Sequence, residues 1–132
     1  MVSIHHDNAV NIISAGVNVY VSDILRAHRW YSDILGLKME LSPDELCSQY
    51  SESRSADDQG MTVFRLLPRP VGTGALGNVQ LAFSVPNLEQ TIEALRAVGA
   101  ACTRKRSIER GCAVPSVSVL DPDGNGIVLY QV

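Results

Sequence analysis

Apolar and polar residues alternate from Val17 to Ser22, with Val17, Val19 and Val21 separated by Asn18 and Tyr20. A period of two is the mark of a strand with one buried face. Asp23 follows, and its carboxylate suits a helix N-cap because it can accept from the exposed amides of the first turn. Ile24, Ala27, Tyr31 and Ile34 then recur at spacings of three and four, which lays one apolar stripe along a helix. Gly36 supplies the left-handed residue that ends it. Leu37 to Leu41 is predicted as a second strand.

The same grammar restarts at Val79. Val79, Leu81, Phe83 and Val85 alternate with Gln80, Ala82 and Ser84, and Asn87 takes the cap, with Gln90 placed as in a variant capping box. Leu88, Ile92, Leu95 and Val98 form the stripe, and Gly99 the stop. Sliding the first unit onto the second lays Val17 on Leu81, Val19 on Phe83, Val21 on Val85 and Asp23 on Asn87. Gly36 then falls beside Gly99 with a single deletion. This is an internal repeat.

Each predicted helix is followed by further strand-like segments. Thr62 to Leu67 is one, after a polar stretch, Ser42 to Gly60, expected to hold one short strand and a loop. Ala101 to Ile108, Pro115 to Leu120 and Ile127 to Val132 are the others, with Asp121 to Gly126 as the turn before the last. The order strand, helix, about three strands occurs twice. We read a single domain over 1–132, with module one at about 12–68, a linker at about 69–78 and module two at about 79–132.

Composition narrows the function. The chain has 132 residues and a net charge of −3, and its only basic run is Arg104-Lys105-Arg106. Nucleic-acid binding needs a basic stripe, so it is not expected. No apolar run reaches the length of a membrane span, and the first residues do not read as a signal peptide. The three cysteines, Cys47, Cys102 and Cys112, form no Cys-x-x-Cys pair. They read as reduced thiols, and the expected location is cytoplasmic.

Two motifs imitate known sites. Gly72 to Gly77 fits G-x-G-x-x-G but follows Pro68 and Pro70 and precedes a strand, so it reads as linker. Asp121-Pro122-Asp123-Gly124-Asn125-Gly126 imitates a calcium loop, yet Val132 stands where the bidentate Glu belongs. It reads as a turn. No spacing of Cys and His marks a base beside a nucleophile.

Val19 to Asp23 with Trp30-Tyr31-Ser32-Asp33-Ile34-Leu35-Gly36-Leu37 resembles the opening strand, cap and helix of the vicinal oxygen chelate superfamily. This superfamily includes glyoxalase I, bleomycin-resistance proteins and extradiol dioxygenases. Leu120 to Asn125 followed by Ile127 resembles its closing hairpin, and Leu81 to Gly99 its second strand and helix. The resemblance implies an α+β fold: two tandem βαβββ modules forming a curved mixed sheet around a concave cleft, commonly in a homodimer. It also implies metal-ligand positions on the first and last strands of each module. These fall on Gly16, Gln80 and Val128, with the remaining one near Arg65. Glycine has no donor, valine none, glutamine offers one neutral oxygen, and arginine repels a cation. No metal or other cofactor is therefore expected. A displaced site would have to use His5, His6 or His28. His28 reads instead as an ordinary helix residue, and His5 and His6 as part of an N-terminal arm.

If the valines of the first strand pack on the helices, Asn18 and Tyr20 face the cleft, and Gln80, Ala82 and Ser84 do so in the second module. Ser116, Ser118, Val128 and Tyr130 join them, together with Arg65 and Leu67. Arg65 is either a partner for a carboxylate or phosphate or an ordinary surface residue. Asn18, Tyr20, Arg65, Gln80, Ser118 and Tyr130 are the candidate ligand-binding residues. The leading reading is a metal-independent small-molecule binder that sequesters a drug or metabolite, without catalytic residues. The rivals are a metal-dependent lyase, isomerase or dioxygenase with rearranged ligands, and a protein-interaction module whose cleft is filled.

Overall fold

The computed structural model describes residues 10–11, 16–52, 61–70, 79–109 and 111–131. The first module contains β1 (Val17–Val21), α1 (Ile24–Asp33), β2 (Glu40–Leu41), β3 (Ser48–Glu52) and β4 (Met61–Pro68). The second contains β5 (Gln80–Ser84), α2 (Leu88–Ala97), β6 (Cys102–Glu109), β7 (Cys112–Leu120) and β8 (Gly126–Tyr130). Both are βαβββ, as the repeat implies. His5 and His6, the Gly72–Gly77 motif and most of the expected linker lie outside the described residues.

The helices begin where their caps predict. Asp23 Oδ1 accepts from the Arg26 amide at 3.0 Å, and Asn87 Oδ1 accepts from the Gln90 amide at 3.0 Å. Gly36 and Gly99 follow at φ +71° and +78°, a backbone conformation that only glycine adopts without strain. Leu37 to Leu41 is mostly not strand. The Leu37 amide is spent on the Tyr31 carbonyl and the Met39 amide on the Leu37 carbonyl, so only Glu40–Leu41 reaches β3.

The hydrogen-bonded strands form two four-stranded sheets with the same order, β1-β4-β3-β2 and β5-β8-β7-β6. In each, the first strand pairs parallel with the last and the other pairings are antiparallel. Val17 lies opposite Phe64 in one sheet, and Leu81 opposite Ile127 in the other. That register makes Arg65 and Val128 equivalent positions in the two modules.

One core runs through both modules. Val19, Val21, Phe64 and Leu66 pack with Ile24, Ala27 and Tyr31 of α1. Leu81, Val117, Val119, Ile127 and Leu129 pack with Leu88, Ile92 and Leu95 of α2 in the same cluster. An aromatic chain crosses the boundary: Tyr31 and Phe64 have centroids 5.5 Å apart, and Phe64 and Phe83 are 6.1 Å apart. Such edge and tilted contacts add to the burial of the rings.

The closing hairpin is tied to the first module by polar contacts. Asp121 is buried, and its Oδ2 accepts from the Tyr31 hydroxyl at 2.8 Å. Its remaining capacity goes to the Asp123 and Asn125 amides and to Asn125 Nδ2. With four donors already on its two oxygens, Asp121 is a turn-former and not a calcium ligand. Asp123 accepts from the Ser22 amide at 2.9 Å and pairs with Arg69 at 3.4 Å, so the hairpin also grips the ends of β1 and β4.

Candidate functional site

Side-chain alternation, broken in the first sheet by a register shift between Tyr50 and Ser51, decides which residues are available to a ligand. Val19 and Val21 are fully buried, whereas Val17, at the strand's start, is 43% exposed. Asn18 and Arg65 face away from the helices, directly opposite each other across β1 and β4, and both are exposed. Gln49 continues the row on β3 and Glu40 ends it on β2. Tyr20 lies on the same face beside Leu67, half-buried.

The second sheet carries the other candidates. Gln80 stands opposite Gly126, and Ser118 lies between Thr103 and Val128. Ser84, Tyr130, Ser116 and Lys105 form one row across β5, β8, β7 and β6. This face is less open than the first: Val114, Ser116 and Val128 are buried on it, and the Ser116 and Ser107 hydroxyls have no hydrogen-bond partner among the described residues. The six candidates thus divide between two sheets. Asn18 and Arg65 are cross-strand neighbours; Ser118 and Tyr130 line different cavities.

A cavity of about 430 Å³ lies where the modules meet. Leu35 and Leu37 from the segment after α1, Tyr50 and Glu52 from β3 and Val63 from β4 form its first-module wall. Ala82, Phe83, Ser84, Val85, Leu129 and Tyr130 form the wall from the second module. Three aromatic side chains and several aliphatic ones enclose hydroxyls and one carboxylate, the usual makeup of a small-molecule pocket. The Tyr50 hydroxyl donates to Glu52 Oε1 at 3.3 Å. Partial burial, then the Glu52 charge, raises the Tyr50 pKa above its ordinary value, so the phenol stays protonated as a donor. The Ser84 and Tyr130 hydroxyls make no hydrogen bond among the described residues.

Tyr50 and Phe83 are held from behind, with ring centroids 6.4 Å apart and 5.8 and 6.1 Å, respectively, from buried Phe64. The pocket wall is therefore part of the core. A second cavity of about 520 Å³ lies between Trp30, the Gly99–Thr103 turn and Ser118–Leu120, but its walls carry only one aromatic ring and no charged side chain among the described residues.

The inter-module cavity takes in Ala82, Ser84 and Tyr130, which alternation had turned toward a cleft. Tyr50 and Glu52 escaped sequence reading because they lie in the polar Ser42–Gly60 stretch. The one available signal was Tyr50, an aromatic residue isolated among polar ones.

The metal positions implied by the resemblance do not fit a metal. Gly16 contributes no donor, Arg65 is an exposed cation, Gln80 is a neutral amide and Val128 is 3% exposed. No group of three or more His, Cys, Asp or Glu is placed to hold a metal among the described residues. His28 is occupied elsewhere, with Nδ1 2.7 Å from the buried Ser48 hydroxyl. The described thiols are free: Cys112 is exposed, and Cys47 and Cys102 are partly buried.

Paired βαβββ modules with a cavity at their junction define the class of fold. The comparisons specify the family: residues 16–130 match the model of the glyoxalase-like domain, and the chain belongs to that family. This bears out the resemblance to the vicinal oxygen chelate superfamily. Similar solved structures include a virulence protein from Salmonella typhimurium, with 17% identity and a TM-score of 0.67 over 93% of this chain and 98% of that one. A lactoylglutathione lyase from Agrobacterium tumefaciens has 18% identity and a TM-score of 0.64 over 94% and 93%. A glyoxalase / bleomycin resistance protein from Catenulispora acidiphila has 22% identity and a TM-score of 0.61 over 92% and 99%. At these identities the likeness is one of fold. Among curated proteins, none matches this sequence. No helix among the described residues is long and apolar enough to cross a membrane.

Proposed function

We propose that this chain is a small-molecule binding protein that works without a bound metal and holds its ligand in the cavity between its modules. The observation that carries the reading is the pairing of a cavity of about 430 Å³, lined by Tyr50, Phe83 and Tyr130, with a donor-poor set of family positions. Shape, aromatic contact and a few hydrogen bonds then supply the affinity. Sequestration of a drug or metabolite fits this wall and agrees with the bleomycin resistance name of one structural neighbour. The lyase name of another would require ligands that Gly16, Arg65, Gln80 and Val128 do not supply. The proposal includes a homodimer in the cytoplasm, with no nucleic-acid or membrane partner.

Metal analysis of untagged purified protein tests the metal-free part. Substoichiometric nickel, zinc, iron and manganese, with a melting temperature unmoved by chelator, is the expected result. Stoichiometric, tightly held metal would overturn it and favour an enzyme with rearranged ligands.

A further inference from the structure

Glu52 gives the cavity a sign. It is the only charged side chain on the wall among the described residues, and no lysine or arginine there neutralises it. Its recorded partner is the neutral Tyr50 hydroxyl at 3.3 Å, which leaves the charge in place. Around it stand Tyr50, Phe83 and Tyr130, whose ring faces carry negative electrostatic potential. A carboxylate and aromatic faces attract the same kind of guest. An anion placed here would meet Glu52 with no counter-charge on the wall among the described residues.

Resting on the proposed binding role, we infer that the ligand is an aromatic organic cation, with its apolar body between Tyr50, Phe83 and Tyr130 and its positive charge toward Glu52. The inference departs from one of the two sequence readings of Arg65, that of a partner for a carboxylate or phosphate. Arg65 shares Val63's face of β4 but does not line the cavity, and it is exposed. Two residues along a strand is about 6.6 Å, and since Arg65 and Glu52 are both exposed, what separates them is that Glu52 lies on the wall and Arg65 does not. The chain's net charge of −3 adds a weak attraction for cations.

A matched pair of dyes tests the charge. Thioflavin T is an aromatic monocation; 2-(4-dimethylaminophenyl)benzothiazole has nearly the same body without the charge. Fluorescence titration should give tighter binding of the cation, weakening as sodium chloride is raised. Glu52→Gln should weaken thioflavin T by about threefold, the scale of an exposed ion pair, and leave the neutral dye unchanged. Glu52→Lys should reverse the preference, favouring 8-anilinonaphthalene-1-sulfonate over thioflavin T. Glu52 is exposed, so both variants should melt as the parent does.

Ala82→Trp, which fills the cavity from one wall, separates the two claims. If it abolishes binding of both dyes while Glu52→Gln changes neither, the cation inference fails and the cavity reading stands. If Ala82→Trp changes neither dye's binding, the dyes sit elsewhere and both claims fall. If the native protein prefers the sulfonate and Arg65→Ala removes that preference, the ligand is an anion and this inference is wrong.

Discussion

Replacing Tyr31 with phenylalanine removes one hydroxyl and leaves the ring that packs on Phe64 and Trp30 in place. The hydroxyl donates at 2.8 Å to Asp121 Oδ2, in a buried contact joining residues on opposite modules. A hydrogen bond to a charged acceptor contributes about 1.5–3 kcal/mol, and here its loss leaves a buried carboxylate oxygen with one donor fewer. We expect Tyr31→Phe to destabilise the protein by about 2 kcal/mol in urea titrations. With an unfolding entropy of about 2.1 cal/mol/K per residue, a chain of 132 residues should melt about 7 °C lower.

The same contact has a pH signature. Burial, then the nearby Asp121 charge and hydrogen bond, pushes the Tyr31 pKa far above its ordinary value of 10.0. A pKa raised in the folded state gives stability that is complete below the unfolded pKa and declines as pH rises above it. Above about pH 10, the native protein should lose up to about 1.4 kcal/mol per pH unit through this group, and Tyr31→Phe should lack that component. A variant within about 0.5 kcal/mol of the parent, with an unchanged alkaline slope, would refute the claim that the Tyr31–Asp121 contact fastens the hairpin to the first module.

Phe64→Ala should cost about 3–5 kcal/mol by thermal melting, since it empties the junction shared by Tyr31, Tyr50 and Phe83. It should also weaken dye binding, because the cavity wall rests on that ring; unchanged affinity in the folded fraction would count against the link between core and pocket. Asp23→Ala and Asn87→Ala should each cost about 1 kcal/mol, and their sum should match the double variant because the caps lie in different modules. A clear excess in the double variant would mean that the helix starts are coupled. Arg104→Ala should leave the melting temperature unchanged, despite two 2.7 Å contacts to Glu89, because both partners are open to water and salt.

Features encoded within a few residues of one another were legible in the sequence. The caps at Asp23 and Asn87, the stops at Gly36 and Gly99 and the alternation of β1 and β5 depend on local backbone chemistry. The repeat then gave the module order and the equivalence of the strands. Interactions over long separations were not legible. Nothing near Asp121 signals that a tyrosine on the first helix will satisfy it, and nothing in the Leu37–Leu41 pattern shows amides already spent on Tyr31 and Leu37 carbonyls. Val128 faces the same side as Tyr130 yet is buried, so alternation assigned its face but not its exposure. The cavity arises where two modules meet, and Glu52 enters it from a polar stretch in which one short strand is expected but its bounds and facing were not readable.

The most direct test of a metal-free binding cavity is a fluorescence titration of the neutral benzothiazole into protein dialysed against EDTA, repeated after restoring zinc, nickel, iron or manganese. We predict saturable one-to-one binding that is lost in Ala82→Trp and has the same dissociation constant in every metal condition. Binding that appears only when a metal is returned would contradict the account.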